Sequence, residues 1–291
     1  MNRNHTSIVW PTMALAGLTA LVLLLGCPAD KQSQQSNAHS NGSCCASKKT
    51  DGDASGQSQP QSESTPPALS RHWPQFRGPD GDGTASADAD PPVKLDASRH
   101  VRYKVAVPTL GNSSPIVSGD RLYLTGEGEQ VLAFNRHTGK LIWQTRLDSP
   151  APLADDAGDG HEPDLIDTGS AASTACTDGK RIYVFFGSGV VGAVDMDGKQ
   201  VWADRLVDHV SNSFGLAASP VLAGDGVIFV VDQGNDPEMS DSFIIALAQS
   251  DGKMLWQKQR PVRSAWATPL LVDRGDGHAL ITAAQPWVIA Y

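Results

Sequence analysis

The clearest pattern in the chain is an alternation of apolar and polar positions around a short turn, in the segment VLAFNRHTGKLIW at residues 131–143. Side chains on a β-strand point alternately to its two faces, so this period of two predicts two strands. The turn between them, Asn135–Gly139, ends in a glycine, which adopts a positive φ at little cost. The segment is therefore predicted to be a β-hairpin.

This hairpin recurs at 191–202 and 244–256, and a fourth copy starts at Val288. In each complete copy a Gly-Lys pair stands four and three residues before a Trp, and an Ala stands nine or ten residues before the same Trp. A turn repeated at one offset favours repeated structural units over a sandwich of unrelated strands. The repeated positions are Ala133, Gly139, Trp143, Ala193, Gly198, Trp202, Ala246, Gly252 and Trp256.

A second type of hairpin precedes each copy, and its turns are rich in Gly and Asp. Its copies lie at 113–124, 174–186, 219–231 and 268–283. Each repeat is therefore predicted to contain four antiparallel strands. Equivalent Ala residues are 60, 53 and 44 positions apart, and the shortest spacing is close to the ~40–50 residues of a four-stranded propeller blade. The predicted fold is all-β, a β-propeller with about four blades in this chain.

Two insertions account for the longer spacings, one at 147–169 and a shorter one at 232–242. Insertions in a propeller emerge as loops on one face, which is often the binding face. The first contains an acidic stretch, 155–162, which is interpreted as a solvated loop, with weak binding of a divalent cation as the alternative. A further alternating stretch at 101–107 is predicted to be a strand.

The N-terminal region has a different pattern. A short start with one Arg precedes an apolar run from Ile8 to Leu25, and the sequence Leu-Leu-Gly-Cys ends at Cys27. This arrangement is typical of an export signal and resembles the bacterial lipobox, which implies lipidation at Cys27. The alternative is an uncleaved transmembrane anchor. The polar residues that follow have almost no large apolar side chain and are predicted to form a disordered tether.

The predicted organisation is a lipoprotein signal peptide at 1–26, a tether rich in Ser, Gln, Asn and Gly at 27–72, and propeller repeats at 73–291. The formal net charge of −9, with most acidic residues from Trp73 onward, argues against a nucleic-acid partner, which would require a basic face. The four cysteines lack the spacing of a disulfide framework or a zinc site.

The positions Ala133, Gly139 and Trp143 match the pattern AxDxxTGxxxW best. That pattern resembles the pyrroloquinoline-quinone (PQQ) type of propeller repeat, also called the tryptophan-docking motif. The opening WPQFRGP at 73–79 resembles exported propeller proteins, called BamB-like, that are abundant in planctomycetes. The resemblance implies that the Trp of one blade docks between neighbouring blades and that the Ala gives it room. It also implies a ring of seven or eight blades, so we expect further blades beyond Tyr291 or completion of the ring by oligomerisation.

Two protein classes share this repeat: quinone-dependent dehydrogenases of alcohols and sugars, and non-catalytic lipoproteins similar to BamB. A quinone dehydrogenase requires a bound calcium ion to polarise the quinone, a catalytic Asp, an aromatic platform and a basic side chain. Isolated candidates for these roles exist, but no local arrangement distinguishes them. They are Asp232, Asn235, Asp236, Arg263 and Trp266.

No residue is therefore assigned a catalytic, cofactor-binding or metal-binding role. The first hypothesis is a lipid-anchored scaffold without a cofactor, at the periplasmic face of the outer membrane, with the inner membrane as the alternative. Its partner would be a protein of the cell envelope, for which a β-barrel assembly complex is the candidate. The second hypothesis is a dehydrogenase that uses PQQ and calcium. A third is a sensor or a carbohydrate-binding module.

Overall fold

The computed structural model describes residues 72–87, 89, 91–150, 169–211 and 214–291. The strands of this part of the chain form four antiparallel sheets, in each of which neighbouring strands follow one another along the chain. The prediction of an all-β protein built from propeller blades is confirmed. We number the sheets as blades 1 to 4 in chain order.

Blade 1 has the order β1-β2-β3-β4-β5, with α1 lying between β1 and β2 in the chain. Its elements are β1 (His72–Trp73), α1 (Ala97–His100), β2 (Ile116–Ser118), β3 (Arg121–Gly126), β4 (Gln130–Asn135) and β5 (Leu141–Arg146). Blade 2 consists of β6 (Cys176–Thr177), β7 (Arg181–Phe185), β8 (Val190–Asp195) and β9 (Gln200–Arg205).

Blade 3 consists of β10 (Val221–Ala223), β11 (Gly226–Val231), β12 (Phe243–Ala248) and β13 (Met254–Gln259). Blade 4 has three strands among the described residues, namely β14 (Leu270–Asp273), β15 (His278–Ala284) and β16 (Trp287–Ala290). The hairpins predicted from both repeated turns are therefore present in the structure.

Two elements differ from the sequence-based expectation. The segment 101–107 is not a strand, because the described residues provide no neighbouring strand to pair with it. The short strand β1 was not predicted. It pairs with β2 through His72 and Trp73, and the carbonyl of Pro74 then accepts a hydrogen bond from the backbone N–H of Thr177 in blade 2 (2.9 Å).

Apolar side chains fill the spaces between consecutive blades. In β7, Ile182 and Val184 pack toward blade 1, whereas Tyr183 and Phe185 pack toward blade 3. Both faces of this strand are buried, so its sequence is an almost continuous apolar run rather than a simple alternation. A smaller apolar cluster that includes Ile228 and Leu280 joins blades 3 and 4.

A series of hydrogen bonds also links the blades just before their first strands. The backbone N–H of Ser114 donates to the hydroxyl of Thr174, that of Thr174 donates to Ser219, and that of Ser219 donates to Thr268, each at 3.0 Å. Each of these residues directly precedes the Pro or Ala that stands before β2, β6, β10 or β14. One hydroxyl position of the repeat therefore connects all four blades. Among the described residues, no helix has the length and apolar character needed to cross a membrane.

Candidate functional site

The antiparallel order of the strands divides the connections of every blade between two edges. We number the strands of each repeat 1 to 4, so that those of blade 1 are β2 to β5. Strands 1 and 2, and strands 3 and 4, are joined by tight turns at one edge, which we call the turn edge. The connections from strand 2 to strand 3, and from strand 4 to the next blade, leave the opposite edge, which we call the connection edge. The insertion at 147–169 follows strand 4 of blade 1, and that at 232–242 follows strand 2 of blade 3. Both insertions therefore leave the connection edge.

The tryptophans of the repeat contact the turn edge of the following blade. A Cβ placed on Gly198 would lie 2.6 Å from the indole of Trp143, and one placed on Gly252 would lie 2.8 Å from the indole of Trp202. The indole N–H of Trp143 donates to the carbonyl of Met196 (3.0 Å), and that of Trp202 donates to the carbonyl of Gln249 (3.1 Å). Each Trp therefore lies flat over a turn that only a glycine leaves open.

The repeated alanines are the cross-strand partners of these tryptophans. Ala133 pairs with Trp143 and Ala193 pairs with Trp202. Ala246 pairs with Trp256 in the same way, but Trp256 is 37% exposed, compared with 8% for Trp202. Tyr103 contacts Gly139 in the way that Trp143 contacts Gly198. How much these contacts contribute to blade docking remains a prediction.

At the connection edge, a glutamate that was not singled out in the sequence fixes the return of the first insertion. Both carboxylate oxygens of Glu127, in the β3–β4 connection, accept hydrogen bonds from backbone N–H groups, those of Ser170 and Ala171, at 2.9 Å each. These bonds hold the chain at Ser170 and Ala171, just before blade 2, against the β3–β4 connection of blade 1.

A buried ion pair lies beneath the second insertion. The guanidinium of Arg260, fully buried after β13, donates to both carboxylate oxygens of Asp232, at 2.7 and 3.1 Å. It also donates to the hydroxyls of Thr282 (2.5 Å) and Tyr291 (2.9 Å). Burial raises the pKa of the Asp232 carboxyl, and the hydrogen bonds and charge of Arg260 oppose that shift. The pair lies within blade 3, and the bonds from Arg260 to Thr282 and Tyr291 connect it to blade 4.

The residues considered for a quinone site have different environments in the structure. Both carboxylate oxygens of Asp232 accept hydrogen bonds from Arg260. Asn235, Asp236 and Arg263 are exposed, and the indole N–H of Trp266 donates to the carbonyl of Gly215 (3.1 Å). In the described part of the chain, no three His, Cys, Asp or Glu side chains are grouped as metal ligands.

A cleft of about 420 Å³ lies at the connection edge, between the ends of β5 and β9. Its lining carries both charges, with Glu129 and Asp148 opposite Arg146 and Arg205. The Arg205 guanidinium is fixed by the carbonyls of Pro150 (3.0 Å) and Ser188 (2.9 Å). Arg146 is largely exposed, so this cleft offers a charged and polar surface beside the first insertion.

Several sequence-based predictions fall on residues that the structure does not describe. They concern the signal peptide, the lipidation of Cys27, the tether and the acidic stretch at 155–162. Cys176, by contrast, is fully buried, and burial raises the pKa of its thiol. No pattern in the sequence marked Glu127 or Arg260. Glu127 binds backbone N–H groups just before the next blade, and Arg260 binds side chains of the next blade.

Relatives of this chain include both classes that share the repeat. The chain is 29% identical over 154 residues to the quinoprotein alcohol dehydrogenase PedH of Pseudomonas putida, covering 50% of this chain and 22% of that protein. It is 25% identical over 143 residues to the outer membrane protein assembly factor BamB of Burkholderia pseudomallei, covering 49% and 29%. The chain thus spans less than a third of the length of these relatives.

The solved structures that resemble this chain belong to the same two classes. BamB from Moraxella catarrhalis is 19% identical, with a TM-score of 0.40, covering 60% of this chain and 43% of that chain. Quinohemoprotein alcohol dehydrogenase from Comamonas testosteroni is also 19% identical, with a TM-score of 0.45, covering 66% and 27%. The family model described as outer membrane protein assembly factor BamB matches residues 53–162 and 160–281. The chain therefore belongs to this BamB family of PQQ-like β-propeller repeat proteins.

Proposed function

We propose that this chain is an exported, lipid-anchored β-propeller that binds another protein of the cell envelope and is not itself an enzyme. The observation that carries the proposal is the match of the BamB family model to both halves of the repeat region, residues 53–162 and 160–281. The BamB relative is named as an assembly factor of outer membrane proteins. The partner we propose is accordingly a component of a β-barrel assembly complex.

The use of the repeat residues supports this proposal. The indole N–H groups of Trp143 and Trp202 are engaged by backbone carbonyls of the next blade. The carboxylate of Asp232 is engaged by Arg260. These side chains make contacts within and between blades, which is the structural role that the proposal gives them. The insertions at the connection edge then provide the variable surface that a partner would recognise.

We propose that Cys27 is the lipidated first residue of the exported chain and that residues 28–72 tether the blades to the periplasmic face of the outer membrane. Two or more acyl chains are needed for stable anchoring. Labelling with a radioactive fatty acid tests this directly. We expect the label on the parent chain and none on the Cys27→Ala variant, and equal labelling of both chains would contradict the proposed anchor.

Capture of the partner tests the scaffold proposal. We expect the tagged chain to retain a β-barrel assembly protein from a detergent extract of the envelope. A variant with 235–240 replaced by an equally long Gly-Ser segment should lose this partner, because the loop leaves the connection edge. A matched variant with Gly-Ser at the turn 249–251 of the same blade should keep it. Equal capture by both variants would contradict binding through the connection edge.

A second function is favoured by one observation, the 29% identity to a quinoprotein alcohol dehydrogenase. Titration of the purified chain with PQQ and calcium separates the two functions. The scaffold proposal predicts no saturable change in the quinone absorption band and no dye-linked oxidation of alcohols. A saturable band together with alcohol oxidation would establish the dehydrogenase instead.

A further inference from the structure

Two aromatic side chains are exposed side by side at the connection edge, on either side of blade 3 along the chain. Phe214 stands between β9 and β10, and Trp266 stands between β13 and β14. Their ring centroids are 5.8 Å apart at an interplanar angle of 78°, and their exposed fractions are 45% and 42%. The indole N–H of Trp266 donates to the carbonyl of Gly215 (3.1 Å). The pair is therefore held in one orientation while part of each ring faces the solvent.

The second insertion adds another exposed apolar side chain to this edge. Met239 is 80% exposed, and hydrogen bonds hold the turn that carries it. The backbone N–H of Glu238 donates to the carboxylate of Asp236 (3.0 Å), and that of Met239 donates to the carbonyl of Asp236 (3.3 Å). The hydroxyl of Ser240 donates to the carbonyl of Arg260 (3.3 Å). Because a thioether side chain is flexible and polarizable, Met239 can adapt to the shape of a bound side chain.

Hydrogen bonds join the insertion to both neighbouring connections. The backbone N–H and the hydroxyl of Ser264 both donate to the carbonyl of Gly234, at 2.8 and 3.0 Å. The backbone N–H of Ser211 donates to the side chain of Gln233 (3.3 Å). The three connections thus form one surface, which we call the aromatic face. Its exposed large apolar side chains are Phe214, Met239 and Trp266.

The exposed charged side chains of the aromatic face are mostly acidic. Asp236, Glu238 and Asp241 are exposed, and no ion pair among the described residues includes them. The described residues of the same three connections provide Arg263 and His209 as exposed basic side chains. Carboxylates attract a positively charged partner, and aromatic rings attract cations to their faces. The complementary surface therefore carries Lys or Arg together with large apolar side chains.

We propose that the aromatic face is the docking site for a positively charged, apolar segment of a partner protein. This inference rests on the proposed function, in which the partner is a protein of the cell envelope, and it adds the surface and the chemistry of the segment. Apolar side chains of the segment pack on the aromatic pair and Met239, and its Lys or Arg side chains pair with the surrounding carboxylates. Such a face repels phosphate groups, so it suits neither a nucleic acid nor an anionic membrane.

Peptide binding tests this chemistry without an assembly protein. The probe is a short fluorescent peptide of alternating Leu and Arg, and the comparison peptides alternate Leu with Glu and Ser with Arg. Fluorescence anisotropy with the full chain in detergent, corrected by a detergent blank, measures the dissociation constants. We expect the Leu-Arg peptide to bind about tenfold more tightly than either comparison peptide, because it alone matches both the apolar and the acidic groups. Added salt should weaken this binding.

Substitutions of apolar side chains locate the binding on the aromatic face. Phe214→Ala and Met239→Ala should each weaken binding of the Leu-Arg peptide about tenfold, as expected for side chains at the centre of an interface. Phe214→Tyr keeps the ring and should bind like the parent. The matched control is Met254→Ala, since Met254 is 63% exposed at the turn edge of the same blade. This control should also bind like the parent.

Neutralisation of carboxylates tests the charged part of the site. Glu238→Gln combined with Asp241→Asn should weaken binding of the Leu-Arg peptide and reduce its dependence on salt. Asp225→Asn is the matched control, since Asp225 is exposed at the turn edge of blade 3, and it should have neither effect. Equal binding of the Leu-Arg and Leu-Glu peptides would overturn the proposal. So would parental binding by both Phe214→Ala and Met239→Ala.

Capture from the envelope with the same variants separates this proposal from the proposed function. We expect the parent to retain a β-barrel assembly protein and both Phe214→Ala and Met239→Ala to lose it. If the parent and both variants retain that protein equally, the docking site is overturned and the proposed function stands. If the parent binds the Leu-Arg peptide through the aromatic face but retains no assembly protein, the docking site is supported and the proposed partner is contradicted.

Discussion

At the scale of single residues, glycines decide where the tryptophans of the repeat lie. Gly198 has a φ of +86°, and any side chain there would meet the indole of Trp143. Gly179, in a tight turn of the same blade, has a φ of +81°, but a Cβ placed on it would meet no atom within 4 Å. Both positions therefore require a positive φ, but only position 198 also lacks the space for a side chain.

Alanine at these two glycines gives a matched test. Gly179→Ala should cost about 1–2 kcal/mol of unfolding free energy, which is the strain of a left-handed backbone. Gly198→Ala should cost about 1–3 kcal/mol more, because the methyl group also displaces the indole of Trp143. Urea unfolding measures both. Equal costs for the two variants would show that the Trp–Gly contact does not hold the blades together.

Cys176 provides a test that depends on pH. Burial raises the pKa of its thiol above the ordinary value of 9.0, so the unfolded chain loses this proton at a lower pH than the folded chain does. The contribution of the neutral thiol to the unfolding free energy is fully present below about pH 9 and is lost as the pH rises. We expect the unfolding free energy of the parent to fall by up to about 1.4 kcal/mol per pH unit above pH 9 through this group.

The variant Cys176→Ala removes this contribution and leaves the buried hydroxyl of Tyr183, whose pKa is raised from 10.0, chiefly by burial. The loss of stability in the variant should therefore begin about one pH unit higher than in the parent. Urea unfolding at half-unit steps from pH 7 to pH 11, with a reductant present, measures both profiles. Profiles of identical shape would contradict the role of the thiol.

At the scale of elements, the Asp232–Arg260 pair connects the end of β11 to the end of β13 and reaches β15 through Thr282. Both side chains are almost completely removed from water, with exposed fractions of 2% and 0%. Removing one partner of such a pair leaves a buried charge without compensation. Asp232 therefore holds the guanidinium of Arg260 in the position from which it bonds to blade 4.

A double-mutant cycle tests this connection. Asp232→Leu and Arg260→Met should each cost about 3–5 kcal/mol in unfolding free energy. The double variant should cost less than the sum of the two, because it leaves neither charge unpaired. A fully additive result would contradict direct coupling of the two side chains.

The blades were predictable from sequence because their turns recur at fixed offsets, as at Gly139, Gly198 and Gly252. The segment 101–107 alternates like a strand, but it forms no strand among the described residues, where Tyr103 instead lies against Gly139 of blade 1. Arg260 was not predictable. Its partner Asp232 is 28 residues away along blade 3, and Tyr291 reaches it only when blades 3 and 4 stack.

At the scale of the whole molecule, the two edges of the antiparallel blades carry different features. The turn edge is short and receives the Trp of the preceding blade. The connection edge carries both insertions, as well as the charged cleft beside Glu129 and Arg205. A scaffold that binds its partner by loops should therefore contact it at the connection edge only.

Site-specific photo-cross-linking in the intact envelope tests this claim most directly. Asn235 and Asp251 are both exposed in blade 3, the first at the connection edge and the second at the turn edge. With a photoreactive amino acid at one position or the other, we predict a cross-link to a β-barrel assembly protein from position 235 and none from position 251. A cross-link to that protein from position 251 alone, or from neither position at equal expression, would contradict the account.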